Sequence, residues 1–185
     1  MTEQHNEAAY SKSVIEFLTV AHEYCITIEN AEKFNFENFR SINQKLLPLL
    51  YLKGSLLPEV KVEDAEALSR FVNEEQWERL YKDVKKIFNT KDTFSAIDEE
   101  SEFEDKLKKT SLSELLVDIY QDLKDFTLLY QQDKRSSKQC AVTEINKLFQ
   151  TNWGAKIPVA LRHLHKLMGV KEEGKMSDFL SFLDD

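Results

Sequence analysis

Turn-forming residues are scarce in this sequence: four glycines and three prolines occur in 185 residues. Because those residues make tight turns and break helices, their scarcity argues against a many-stranded β architecture. Cysteine is sparser still. Cys25 and Cys140 stand alone without CxxC spacing, and are expected to be reduced, buried thiols rather than a disulfide or metal ligands. No apolar run approaches the ~20 residues that span a bilayer, and the opening MTEQHNEAAYSKS lacks the basic start and apolar centre of a secretory leader. A cytoplasmic protein with no membrane partner is the expectation. Positive charge is in deficit, 25 Lys and Arg against 33 Asp and Glu, so the net charge of −8 repels phosphate backbones and no nucleic-acid partner is expected. GxSxG, P-loop, dinucleotide and zinc signatures are all missing, which removes the common enzyme templates.

What is present is apolar spacing near 3.6 residues. Val14, Phe17, Leu18, Ala21, Cys25 and Ile28 fall on one side of a helix over about residues 9 to 30, with Tyr10 at its start. Asn35 is a plausible cap for a second helix, 36 to 52, in which Pro48 removes a backbone donor and is expected to kink or break the rod. A third helix covers 73 to 89 with Trp77, Leu80, Val84 and Phe88 inward. The run 98 to 105 carries six carboxylates in eight positions, so 90 to 110 is expected to be a solvated acidic loop. Ser111 or Ser113 then caps a fourth helix to about 131, and a fifth covers 137 to 152 with Gly154 as its stop. Pro158 suits the first turn of a sixth, ending at Met168, and MSDFLSFLDD offers a short terminal helix. The fold class expected is therefore all-α: a single-domain antiparallel bundle of five to seven helices over 1 to 185, with flexible ends at 1 to 8 and 170 to 185.

Chemistry concentrates on the fourth helix. Leu112, Leu116, Ile119, Leu123 and Phe126 share one face, and Glu114, Asp118, Asp122 and Asp125 occupy the neighbouring arc. Carboxylates spaced i, i+4, i+7 project together and hold Mg²⁺ or Mn²⁺ when a facing helix completes the shell, which makes Asp118, Asp122 and Asp125 an alternative metal set. The favoured reading is a solvated or salt-bridged face with no cofactor. Arg162 is a candidate partner for Asp118 or Asp122, since a guanidinium forks onto a carboxylate. His22 and His165 would serve as general bases only if they faced one cleft. Trp153, followed by Gly154, is expected to anchor a helix junction.

Four stretches, EFLTVAHEYC (16 to 25), LLPLLYLKGSLLPE (46 to 59), DIYQDLKDF (118 to 126) and NWGAKIPVALRHLH (152 to 165), resemble in order the recurring blocks of a bacterial family, domain-of-unknown-function family 5063. The resemblance implies a small helical protein without an established activity. It points to His22, Glu23, Tyr24, Asp118, Tyr120, Asp122, Trp153, Gly154, Arg162 and His165 as a candidate pocket. Lys156 and Pro158 interrupt the last block and put in question whether Trp153 and Arg162 share a helix. The function expected is a non-enzymatic binding or protein-interaction module for an unknown protein or small-molecule ligand. The alternative is a divalent-metal hydrolase of a phosphorylated small molecule.

Overall fold

A computed structural model describes residues 8 to 62, 70 to 97 and 106 to 169. The acidic run 98 to 105, the terminal stretches 1 to 7 and 170 to 185, and the proposed terminal helix in MSDFLSFLDD lie outside the described residues. Among the described residues, six α-helices and one hairpin, together with short 3-10 turns, make up the regular structure: α1 (Lys12–Glu29), α2 (Phe36–Gly54), α3 (Glu74–Phe88), β1 (Thr93–Ile97), β2 (Leu107–Ser111), α4 (Leu112–Tyr130), α5 (Arg135–Thr151) and α6 (Trp153–Lys166). The fold is all-α apart from this small sheet.

Helix α4 is the axis of the bundle, packed against α1, α3, α5 and α6. Neighbours on so many sides leave little of it for water, and even its polar Ser113, Asp122, Asp125 and Thr127 are buried. Leu112, Leu116, Ile119 and Leu123 are fully buried, and each such side chain contributes roughly 1.5–3 kcal/mol relative to exposure. The helix starts where Ser111 accepts a hydrogen bond from the Glu114 amide (3.2 Å). Asp92, at the foot of the hairpin, fastens this turn by accepting from the Ser111 hydroxyl (2.7 Å) and the Ser113 amide (2.7 Å).

Caps at Asn35 and Asn73 start α2 and α3, each side chain accepting from the amide three residues on (2.9 and 2.8 Å). Helix α2 continues through Pro48 to Gly54 rather than breaking. Trp153 lies at the crossing of α2, α5 and α6, within 4.9 Å of the Phe149 ring centroid and 5.7 Å of Phe17. Its Nε1 donates to the Ile145 carbonyl (3.1 Å), so the junction role expected of it holds. Gly54 is demanded by that ring, since a Cβ there would collide with the Trp153 six-membered ring.

Two expectations about local structure need correction. Residues 93 to 97 and 107 to 111, the flanks of the supposed loop, pair as antiparallel strands in the register Thr93 with Ser111 and Ile97 with Leu107. Ladder hydrogen bonds and the inward Ala96 and half-buried Phe94 order them despite the lysines of β2. Gly154 does not end the fifth helix, which stops at Thr151; it is the second residue of α6. A Cβ at Gly154 would meet the Phe149 carbonyl oxygen, so glycine is required by close backbone approach. Helix α6 accordingly starts five residues before Pro158 and carries Trp153, Lys156 and Arg162 on one uninterrupted rod.

Candidate functional site

Three of the four acids of the α4 arc, Asp118, Asp122 and Asp125, face protein, whereas Glu114 at the first turn is exposed. Asp118 accepts from the Trp77 indole (3.1 Å) and from Lys156 (2.7 Å), which clamps α3 and α6 onto α4. Asp122, 5% exposed, accepts from the Asn152 amide group (2.7 Å) at the α5–α6 corner, with Arg70 3.6 Å away. Asp125 accepts from the backbone amides of Phe71 (2.7 Å) and Val72 (3.0 Å), and from Arg70 (3.3 Å). One carboxylate thus holds the chain that leads into α3. The stripe closes the bundle on three sides.

Burial pushes the Asp122 carboxyl above its usual range. The Asn152 hydrogen bond, Arg70 and Lys156 oppose that shift, and Asp125 adds to it. A neighbouring polar chain runs from Gln76 to the Tyr120 hydroxyl (2.8 Å), from that hydroxyl to Glu29 (2.9 Å), and on to Lys124 (2.7 Å from Glu29). Burial and then the hydrogen bond to Glu29 keep the Tyr120 phenol protonated well above its normal range. The Tyr24 phenol, wholly buried, donates to the Leu116 carbonyl (2.9 Å) and is likewise raised by burial. The Cys25 thiol is raised for the same reason, which makes it unreactive.

The residues singled out from sequence do not form one pocket. Asp118, Tyr120 and Asp122 share α4 and meet donors from α3 and the α5–α6 corner and, at Tyr120, the Glu29 acceptor of α1, while Tyr24 and Trp153 are buried in the core. His22 and Glu23 are exposed on α1, and Arg162 and His165 are exposed on α6. Arg162 is not the partner of the aspartates: Lys156, one and a half turns earlier, serves Asp118, and Arg70 and Asn152 serve Asp122. Arg70, Trp77, Glu144, Asn152 and Lys156 were missed. Arg70 lies 55 residues from Asp125 in a stretch without periodicity, and carried no local signal.

Beside the stripe, a cleft of about 110 Å³ opens between α4 and α5. Phe126, Leu129, Ile145 and Leu148 form its apolar walls, and Asp122, Asp125 and Glu144 surround Arg70 at its mouth. The guanidinium lies 3.6, 3.3 and 3.5 Å from those three carboxylates, and the Arg70 side chain is 56% exposed. A formal charge of −2 remains after one cation meets three anions. Among the described residues no group of three or more His, Cys, Asp or Glu is placed to hold a metal ion. No helix there is long and apolar enough to cross a membrane.

Fold and site together define a class: a single-domain helical bundle whose central helix carries an acidic stripe closed by donors from its own chain. The chain belongs to the family described as Domain of unknown function (DUF5063), whose model matches residues 8–169. It is similar to the crystal structure of protein BF1032 from Bacteroides fragilis, with a TM-score of 0.79 and 33% identity over 90% of this chain and 98% of that one. No curated protein matches.

Proposed function

We propose that the protein is a non-enzymatic binding module, and that the α4–α5 cleft takes a cationic group on an apolar stem, as the end of an arginine side chain of a partner protein would present. The observation that carries this reading is Arg70 itself. Its contacts of 3.3 to 3.6 Å exceed the ~2.7–2.9 Å of strong charge-assisted bonds, and half of the side chain faces water. Such exposed pairs contribute about 0–1 kcal/mol, so a ligand cation can displace Arg70 at little cost and gain the apolar walls as well. The tyrosines and Cys25 beside the stripe are held in their protonated, inert forms, which supports recognition over chemistry.

The hydrolase alternative gains less support. Asp118, Asp122 and Asp125 already accept from Lys156, Asn152 and two backbone amides, so ion coordination would have to break bonds that hold three helices. A reducing, cytoplasmic compartment fits the two buried thiols.

Titration with n-butylguanidinium, followed by NMR of the Leu129, Ile145 and Leu148 methyl groups, tests the proposal. Saturable shifts are expected, tightened several-fold by Arg70→Ala and weakened by Glu144→Gln, whose carboxylate pairs with Arg70. Failure of both wild type and Arg70→Ala to saturate would remove the reading. A thermal-stability response to Mn²⁺ that Asp118→Asn and Asp122→Asn abolish would move the assignment to the metal enzyme.

A further inference from the structure

A second cleft, of about 190 Å³, lies between β1 and the outer face of α6. Its electrostatics are the reverse of the first. Arg162, His163 and Lys166 line it, and among the described residues no acidic residue does. Arg162 and Lys166 stand one helical turn apart on an exposed face, and neither side chain has an ion-pair or hydrogen-bond partner among the described residues.

The cleft also has a built wall. The His163 imidazole stacks on the Phe94 ring with centroids 4.0 Å apart and planes within 9°. Its Nε2 lies 2.8 Å from the Lys91 carbonyl oxygen, and because a carbonyl only accepts, that nitrogen carries the proton. The ring is therefore fixed in place and in tautomer. Ala96, Pro158 and Val159 complete an apolar surface beside the two cations. A cavity of about 150 Å³ accommodates a benzene ring, so this one has room for a single ring with an anionic substituent.

We infer that the hairpin–α6 cleft is a binding site for a small organic anion, a flat apolar body bearing a carboxylate or phosphate, with Arg162 and Lys166 as the anion-reading groups. Arg162 offers a planar fork of donors that matches either anion, and Lys166 adds a point charge one turn away. The body of the ligand lies against Phe94, Pro158 and Val159. The inference is independent of the α4–α5 cleft, which selects the opposite charge.

Phenyl phosphate and benzoate, titrated separately into the isotope-labelled full chain, test it, with phenol as the neutral control. Saturable shifts at Phe94, Val159 and the Arg162 side chain are expected with at least one anion and not with phenol. Binding of phenyl phosphate alone assigns phosphate esters, and binding of benzoate alone assigns carboxylates. Arg162→Ala with Lys166→Ala should weaken the bound anion at least tenfold at an unchanged melting temperature, and Arg162→Lys should retain part of the affinity. No shift with either anion, equal shifts with phenol, or an unaltered affinity in the double variant would overturn the assignment.

Discussion

Helices α4 and α6 both carry charge at regular helical spacing, yet the two sets meet opposite fates. Each aspartate of α4 is turned into the bundle and met by a donor from another element, whereas Arg162 and Lys166 on α6 face outward and meet no partner among the described residues. A buried carboxylate without partners would cost several kcal/mol, so the interior of the bundle is organised around satisfying these acids. An exposed cation carries no such cost, and its charge stays available to a ligand. Charge that fixes the architecture and charge that serves recognition are thus separated by burial rather than by residue type.

The severest way to break that separation is to empty one of the α4 positions. Asp125→Ala removes the acceptor for the Phe71 and Val72 amides together and leaves Arg70 with one contact fewer. Stranded buried donors cost ~1–3 kcal/mol each, so a loss of about 3 kcal/mol in urea denaturation is expected. A loss under about 1 kcal/mol would mean that the chain entering α3 is held by something else.

Asp122 sharpens the contrast through pH. Its folded pKa is raised, chiefly by burial, so below the ordinary carboxylate value of about 3.9 both folded and unfolded forms are protonated and the group favours neither. As pH rises, the unfolded chain ionises first and is stabilised, so the contribution of Asp122 falls until its raised folded pKa is passed, then stays level. The stability of wild type relative to Asp122→Asn should therefore decline as pH rises above about 4 and level off once the raised folded pKa is passed. If the difference instead grows with pH, the Arg70 and Asn152 contacts outweigh burial.

Much of this fold was legible in the periodicity, and most of the site was not. Apolar residues three and four apart located α1, α3 and α4, and side chains with short acceptors located the cap at Asn35 and narrowed that of α4 to Ser111 or Ser113, because both signals are local. The hairpin was hidden by the carboxylates between its strands and by the lysines of β2, which leave Phe94 and Ala96 as the inward residues of β1. Gly154 was mistaken for a helix stop because its cause, the Phe149 carbonyl across the α5–α6 corner, is tertiary. The arc holding Asp118, Asp122 and Asp125 was visible as spacing, but its partners arrive from 30 to 55 residues away, a distance no local pattern spans.

The smallest expected effect bears most directly on the comparison. Neutralising Arg162 and Lys166 together removes two charges from a chain whose net charge is already −8, so long-range repulsion rises slightly. Both side chains are exposed and unpaired among the described residues, no hydrogen bond is lost, and alanine is a better helix former than either. These contributions are small and opposed, and a change within about 0.5 kcal/mol in urea denaturation is expected. A destabilisation as large as that of Asp125→Ala would place these cations with the acids of α4, as groups that hold the bundle together, and would leave no spare charge on α6 for a ligand to use.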